Sequence, residues 1–184
     1  MFEIVINHVY KFPFDLVVRT HFTKYPTSKE QNVICMKTVE ERIDEEKDVE
    51  YKRRIATCRN VLPSIFKKIQ LLNEDAVYLE EETWHDRKYK HLIVKSHSLT
   101  WNKYADTWEE SEFSICPQNS NWTQLKQKGG LRIKGFGILG GMIEMFLHGF
   151  ANKGGWKAIR IMEELMTEST SVKNSVHSVG SSRL

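Results

Sequence analysis

Apolar residues along this chain switch between two periods, and the switches mark out its elements. Ile4 to Tyr10 reads as a strand that begins at once. Pro13 opens a helix with Phe14, Val17, Val18 and Phe22 on one face. Lys24-Tyr25-Pro26 closes it, because proline disfavours helix in the residue before it. Val33 to Ile43 and Val49 to Arg59 flank Asp44-Glu45-Glu46-Lys47-Asp48, which predicts a hairpin. Four further strands are expected: Val77 to His85, His91 to Trp101, Thr107 to Ile115 and Trp122 to Ile133. Turn signals such as Asp86-Arg87-Lys88, Asn102-Lys103 and Pro117-Gln118-Asn119-Ser120 separate them. From Gly137 to Met166 the period becomes that of a helix. Leu139, Ile143, Phe146, Phe150, Gly154, Ala158, Ile161 and Leu165 follow one another at steps of three and four and share a face.

This order predicts an α+β fold: a curved antiparallel sheet with helices gathered on one side and the long helix closing over it. A single domain is expected over residues 1–166. Residues 167–184, rich in serine and threonine, are expected to form a disordered tail. Leu62-Pro63-Ser64-Ile65-Phe66 has no strand period. It reads either as a half turn of core helix or as a lid whose Ile65 and Phe66 touch a ligand or a bilayer. Glycines at 140, 141, 149, 154 and 155 weaken the long helix, which fits close packing on the sheet, a kink, or a helix that parts to admit a ligand.

Cations interrupt the apolar pattern. Lys153 and Lys157 fall within the stripe of the long helix, and Arg54 shares a strand face with Ala56 and Cys58. If that strand face and that helix face enclose one space, several cations, with Lys24 at the end of the first helix, meet in an apolar cavity and require an anion. A phospholipid supplies phosphate for the cations and acyl chains for the walls. Equally, these side chains could pair with glutamates or extend to solvent.

Composition narrows the function classes. The chain has 184 residues, 40% hydrophobic and 28% charged, with a net charge of +3, which is far from the dense basic content of a nucleic-acid binder. Its five tryptophans sit mostly beside acidic residues, so core packing explains them better than base stacking. Three scattered cysteines make neither a disulfide framework nor a zinc site. No signal or transit peptide opens the chain, and no apolar run reaches the roughly 18 residues of a membrane span. No hydrolase, metalloprotease, phosphate-loop or dinucleotide signature is present. His85, His91 and His97 read better as solvated or singly hydrogen-bonded strand residues than as a metal site, and the runs Glu80-Glu81-Glu82 and Glu109-Glu110 as a solvated outer face or cross-strand partners of Lys and Arg than as an acid and base. A non-enzymatic protein without cofactor or metal is expected.

The segments Val9-Tyr10-Lys11-Phe12-Pro13-Phe14, Lys24-Tyr25-Pro26, Asn32-Val33-Ile34, Arg53-Arg54-Ile55, Leu62-Pro63, Leu99-Thr100-Trp101, Asn121-Trp122-Thr123 and Lys157-Ala158-Ile159-Arg160-Ile161-Met162-Glu163 occur in this order. Together they resemble the PRELI/slowmo family of mitochondrial lipid-transfer proteins, from about residue 2 to 166. The resemblance implies a seven-stranded sheet and helices around a lipid cavity. It implies transfer of an anionic phospholipid, phosphatidic acid or phosphatidylserine, across the mitochondrial intermembrane space. It also implies transient contact with a membrane surface, a small helical twin-CX9C partner, and no nucleic acid. The family's headgroup-binding positions fall on Lys24, Asn32, Arg54, Cys58 and Lys153, with Lys157 beside them. Its lid falls on Leu62, Ile65 and Phe66. Asn32 and Cys58 stand where the family carries histidine and lysine. That departure favours an alternative: an interaction protein that keeps the fold and the partner but does not transfer lipid.

Overall fold

All the strands join one antiparallel seven-stranded sheet in the order β1-β7-β6-β5-β4-β3-β2. The computed structural model describes the backbone of residues 2–180 and the side chains of residues 3–172. The strands are β1 (Phe2–Tyr10), β2 (Val33–Asp44), β3 (Val49–Arg59), β4 (Ala76–Asp86), β5 (His91–Ser98), β6 (Ala105–Cys116) and β7 (Asn119–Ile133). The helices are α1 (Phe14–Thr23), α2 (Ser64–Lys67) and α3 (Gly137–Gly180), and a 3-10 turn covers Gln70–Leu72. β2 to β7 follow as neighbours, whereas α1 carries the chain across from β1 at one edge to β2 at the other. The elements lie where the hydropathy periods place them.

Directly paired residues point to the same side of a sheet, so the register defines its inner face. That face divides into two halves. On one half Tyr10, Leu92, Val94, Phe113 and Leu125 pack solidly beneath α1, through Phe14, Val17 and Val18, and beneath the later part of α3, through Ile159, Met162 and Met166. Burying a side chain of this size stabilises by roughly 1.5–3 kcal/mol. On the other half Leu62, Phe66, Leu72 and Ile143 form a smaller cluster with Trp101, Ile133, Phe136 and Leu147, and the space beneath α3 stays hollow.

Two features of α3 differ from expectation. The helix is unbroken over 44 residues, roughly 66 Å at 1.5 Å per residue. It continues through 167–180, where composition suggests a disordered tail; residues 181–184 lie outside the described residues. Lys29 anchors this part, its Nζ donating to Glu164 Oε2 at 2.8 Å and Glu168 Oε1 at 3.0 Å. The second difference is the helix's phase. Ile143, Phe150, Gly154 and Ile161 of the predicted stripe do face the core or the cavity, but Leu147, Ala151, Gly155, Ile159, Met162 and Met166 face it as well, so the inward arc is wider and centred past the predicted stripe. Gly155 explains the shift. A Cβ there would come within 2.7 Å of Ile6 Cδ1, so the glycine lets α3 lie against β1. Such a contact leaves no trace in hydropathy.

Candidate functional site

Between the hollow half of the sheet and α3 lies a cavity of about 400 Å³. Its walls are mostly apolar, with Leu72, Leu79 and Leu131 among the side chains that face it together with Ile133, Ile143 and Leu147. The segment from Asn60 to Leu72 closes one side. Asn60 holds that segment: its Nδ2 donates to the carbonyls of Leu72 and Glu74 at 2.9 and 2.8 Å, and its Oδ1 accepts from the Leu62 N–H at 3.0 Å.

A polar row crosses the sheet where the solid and hollow halves meet. Arg54 pairs with Glu81, Glu81 with Ser96, and Ser96 with Glu109, on four successive strands. Arg54 is buried, and each of its three side-chain nitrogens has a partner. Nε donates to Glu81 Oε1 at 2.9 Å, Nη1 donates to the Phe22 carbonyl at 3.2 Å, and Nη2 lies against Glu81 and His21. Above the row, His21 sits between Lys24 Nζ, 3.5 Å from its Nδ1, and Glu81 Oε1, 3.5 Å from its Nε2. Nε2 also lies 3.2 Å from Arg54 Nη2, so a cation stands at each ring nitrogen and the ring stays neutral. Burial, reinforced by the charge of Lys24, lowers the His21 pKa to about 4. Burial alone would raise the Glu81 carboxyl, but His21 and Arg54 outweigh it and hold it at about 2. Lys24 is itself lowered by burial, and it stacks over the Tyr25 ring at 5.1 Å.

Glu109 is different in kind. It counts as exposed by area, although its strand position is central and faces inward. The surface it exposes is cavity wall. Burial raises its carboxyl above the ordinary range, against hydrogen bonds from Gln127 and Ser111 and the charge of Lys24.

The residues that the sequence points to are distributed as follows. Asn32 and Cys58 line the cavity. The Cys58 thiol is pushed up to about 11 by burial, with Glu30 adding to the effect, so it stays neutral. Lys24 and Arg54 sit in the polar network at the cavity floor. Lys157 pairs with Glu30 at 2.9 Å, and Glu30 also accepts the Asn32 backbone N–H at 2.8 Å. Lys153 is exposed and lies outside the lining. With Ala151 and Gly155 turned inward, two residues either way is about 200° of helix, which points Lys153 outward. Leu62 and Phe66 are buried, whereas Ile65 is 64% exposed, so the segment expected to act as a lid has a core side and a solvent side. Sequence reading missed Asn60; its cross-strand pairing for the strand glutamates holds for Glu81 with Arg54, but it did not see that Glu81 and Glu109 face inward. Alternation with Leu79 and Thr83, and with Thr107 and Ser111, was the available signal.

This arrangement makes a first prediction. Asn60→Ala will cost about 1–3 kcal/mol, because it strands buried backbone groups. It will also speed amide exchange in residues 62–72. Ile65→Ala will stay within about 0.5 kcal/mol of the unmodified chain. Unchanged exchange in Asn60→Ala would show that the apolar contacts of Phe66 alone hold the segment shut.

Comparison with known proteins agrees with the geometry. The PRELI-like family matches residues 15–172. The slowmo homolog of Dictyostelium discoideum is 27% identical over 164 residues, which is 89% of this chain and 70% of that protein. Protein real-time of Drosophila melanogaster is 27% identical over 130 residues, 70% of this chain and 19% of that protein. The chain thus spans about a fifth of the length of the first curated relatives it matches. Among solved structures, a protein of Thermus thermophilus superposes with a TM-score of 0.60 at 13% identity, covering 91% of this chain and 98% of that one. A START superfamily protein from Mycobacterium smegmatis superposes with a TM-score of 0.53 at 10% identity, covering 90% and 97%. These two likenesses establish the fold. The family match over most of the length, on a sheet-and-helix cavity of this form, identifies the chain: it belongs to the PRELI-like family.

Proposed function

We propose that this chain is a non-catalytic carrier that takes one phospholipid into the cavity and moves it between membranes. The observation that carries this reading is the apolar cavity of about 400 Å³ with a polar row along its floor. Packing contacts forgone over such a volume are costly, and an apolar guest restores them. The polar end of the lipid meets the floor, with Lys24 nearest its phosphate and Asn32 and Cys58 as neutral lining. Arg54 sets the potential from behind through its pair with Glu81. Lys157 acts with Glu30, and Lys153 takes no part. An anionic phospholipid, phosphatidic acid or phosphatidylserine, shuttled across the mitochondrial intermembrane space with a twin-CX9C partner, is the specific form that family membership favours. Exposed Ile65, Leu71, Met142 and Met145 supply the transient membrane contact.

A second reading rests on the neutral side chains at 32 and 58. A chain that keeps the fold and the partner surface, but holds lipid too weakly to transfer it, would also place Asn32 and Cys58 there.

Gly154→Phe tests the carrier. Gly154 borders the cavity, and an added Cβ there meets nothing within 4 Å, so the ring has room to enter. Stability will hold or rise by up to about 1 kcal/mol, since a helical glycine is replaced. Lipid retained after incubation with vesicles, measured by native mass spectrometry, will fall at least tenfold. Equal retention in a folded variant would place the lipid elsewhere, and no retention by the unmodified chain would favour the second reading.

A further inference from the structure

We propose that the cavity floor selects a lipid whose polar end carries a primary ammonium group, received by Glu109, over one that ends in a bare phosphate. The inference rests on the carrier reading and narrows its substrate.

The first ground is the charge that actually faces the cavity. Of the six positions expected to bind a headgroup, only Asn32 and Cys58 line it, and both are uncharged. Among the described residues, the carboxylates in the wall are Glu30 and Glu109, the one lysine or arginine is Arg59, and His97 and His148 also line it. Arg59 is exposed at the end of β3, with its Nε donating to the Gln31 carbonyl at 2.9 Å. A bare phosphate would therefore enter a wall whose interior charge is negative.

The second ground is that the two carboxylates are not equivalent. Glu30 is already satisfied by Lys157 and by the Asn32 N–H. Glu109 makes no ion pair among the described residues. Its Oε1 accepts only a long bond from Ser111 Oγ, at 3.5 Å, and Gln127 supplies an amide hydrogen bond. An ionised carboxylate offers about four acceptor positions, so acceptor capacity remains open toward the cavity. A carboxylate held away from bulk water gains most from a charged donor.

The third ground is the spacing of opposite charges. Lys24 and Glu109 feel one another's charge without forming an ion pair. Lys24 lies behind the wall and Glu109 in it, so a phosphate feels the lysine charge only through the wall while an ammonium can meet Glu109 directly. A quaternary ammonium keeps the charge but has no N–H to donate.

The test uses the full chain and vesicles containing equal parts of phosphatidic acid, phosphatidylethanolamine and phosphatidylcholine, with bound lipid identified by native mass spectrometry. Phosphatidylcholine carries three methyl groups where phosphatidylethanolamine carries three N–H donors, so the Glu109 variants are needed to separate hydrogen bonding from headgroup bulk. The unmodified chain is expected to hold the ethanolamine lipid at least tenfold over each of the others. Glu109→Gln and Glu109→Met, both checked for an unchanged melting temperature, are expected to bring the ethanolamine-to-choline ratio to within about twofold of unity while lipid is still bound. Preferential loading of phosphatidic acid, or an ethanolamine-to-choline ratio that survives both substitutions, overturns the inference and leaves the carrier reading standing. No lipid bound by any form overturns the carrier reading, and the inference with it.

Discussion

Arg54→Leu will lower the free energy of unfolding by roughly 3–5 kcal/mol, because it leaves the Glu81 carboxylate buried without its main partner. The arrangement makes the loss steep. Arg54 and Glu81 are adjacent across β3 and β4, the Glu81 side chain is only 12% exposed, and Arg54 also ties down the Phe22 carbonyl at the end of α1. Removing the guanidinium therefore unfastens α1 from the sheet as well as stranding a charge. The double variant Arg54→Met/Glu81→Met is expected to recover most of the loss, since a buried pair replaced by apolar groups of similar volume is often neutral. Urea unfolding of both single variants and the double variant measures the cycle. A loss below about 1 kcal/mol in Arg54→Leu would show that Lys24 or water from the cavity takes over Glu81.

Acid will weaken the fold in two stages, and His21 controls the first. Its folded pKa of about 4 lies below the unfolded value of 6.5. The unfolded chain therefore binds a proton that the folded chain refuses, and stability drains away as pH falls from about 6.5 to about 4. A shift of this size is worth about 3 kcal/mol. His85, also lowered chiefly by burial, acts in the same direction. Glu81 adds the second stage: its stabilisation is complete above pH 4.5 and is lost as pH falls toward about 2. Glu109 opposes both, since its raised carboxyl takes up a proton in the folded state first and so gains stability as the pH falls through that value. His21→Gln is expected to flatten the limb between pH 6.5 and 4 and, because His21 also holds the Glu81 carboxyl down, to move the lower limb to higher pH. Urea titrations at stepped pH give the slopes. An unaltered slope in His21→Gln would assign the first stage to other histidines.

The reach of sequence reasoning can be judged from these same residues. Strand and helix limits were legible because alternation and the helical period differ, and because Pro13, Pro26 and the charged turn at 44–48 punctuate them. The phase of α3 was not, since apolar residues flank its true inward line on both sides and the deciding contact is made by Gly155, which has no side chain to score. That error turned Lys153 inward on paper. The polar row was hidden for another reason. Arg54, Glu81, Ser96 and Glu109 come together only through the register of three strand pairings, and a one-residue slip in any of them would scatter the row. Each residue's own strand did carry the signal for its face. What no single strand carries is which residue lies beside it on the next.

The strand order also dictates when the cavity floor can exist. β2 to β7 pair with neighbours in the chain and close short loops, which form early and cheaply. β1 cannot pair until β7 is present, because Tyr10 meets Thr123 and Phe2 meets Leu131. During synthesis β1 emerges before the other six strands and waits until β7 has been made. α1 waits with it, and so do His21 and Lys24. The meander is thus built before its lining is complete, and the residues that cover the Arg54–Glu81 pair from above dock last.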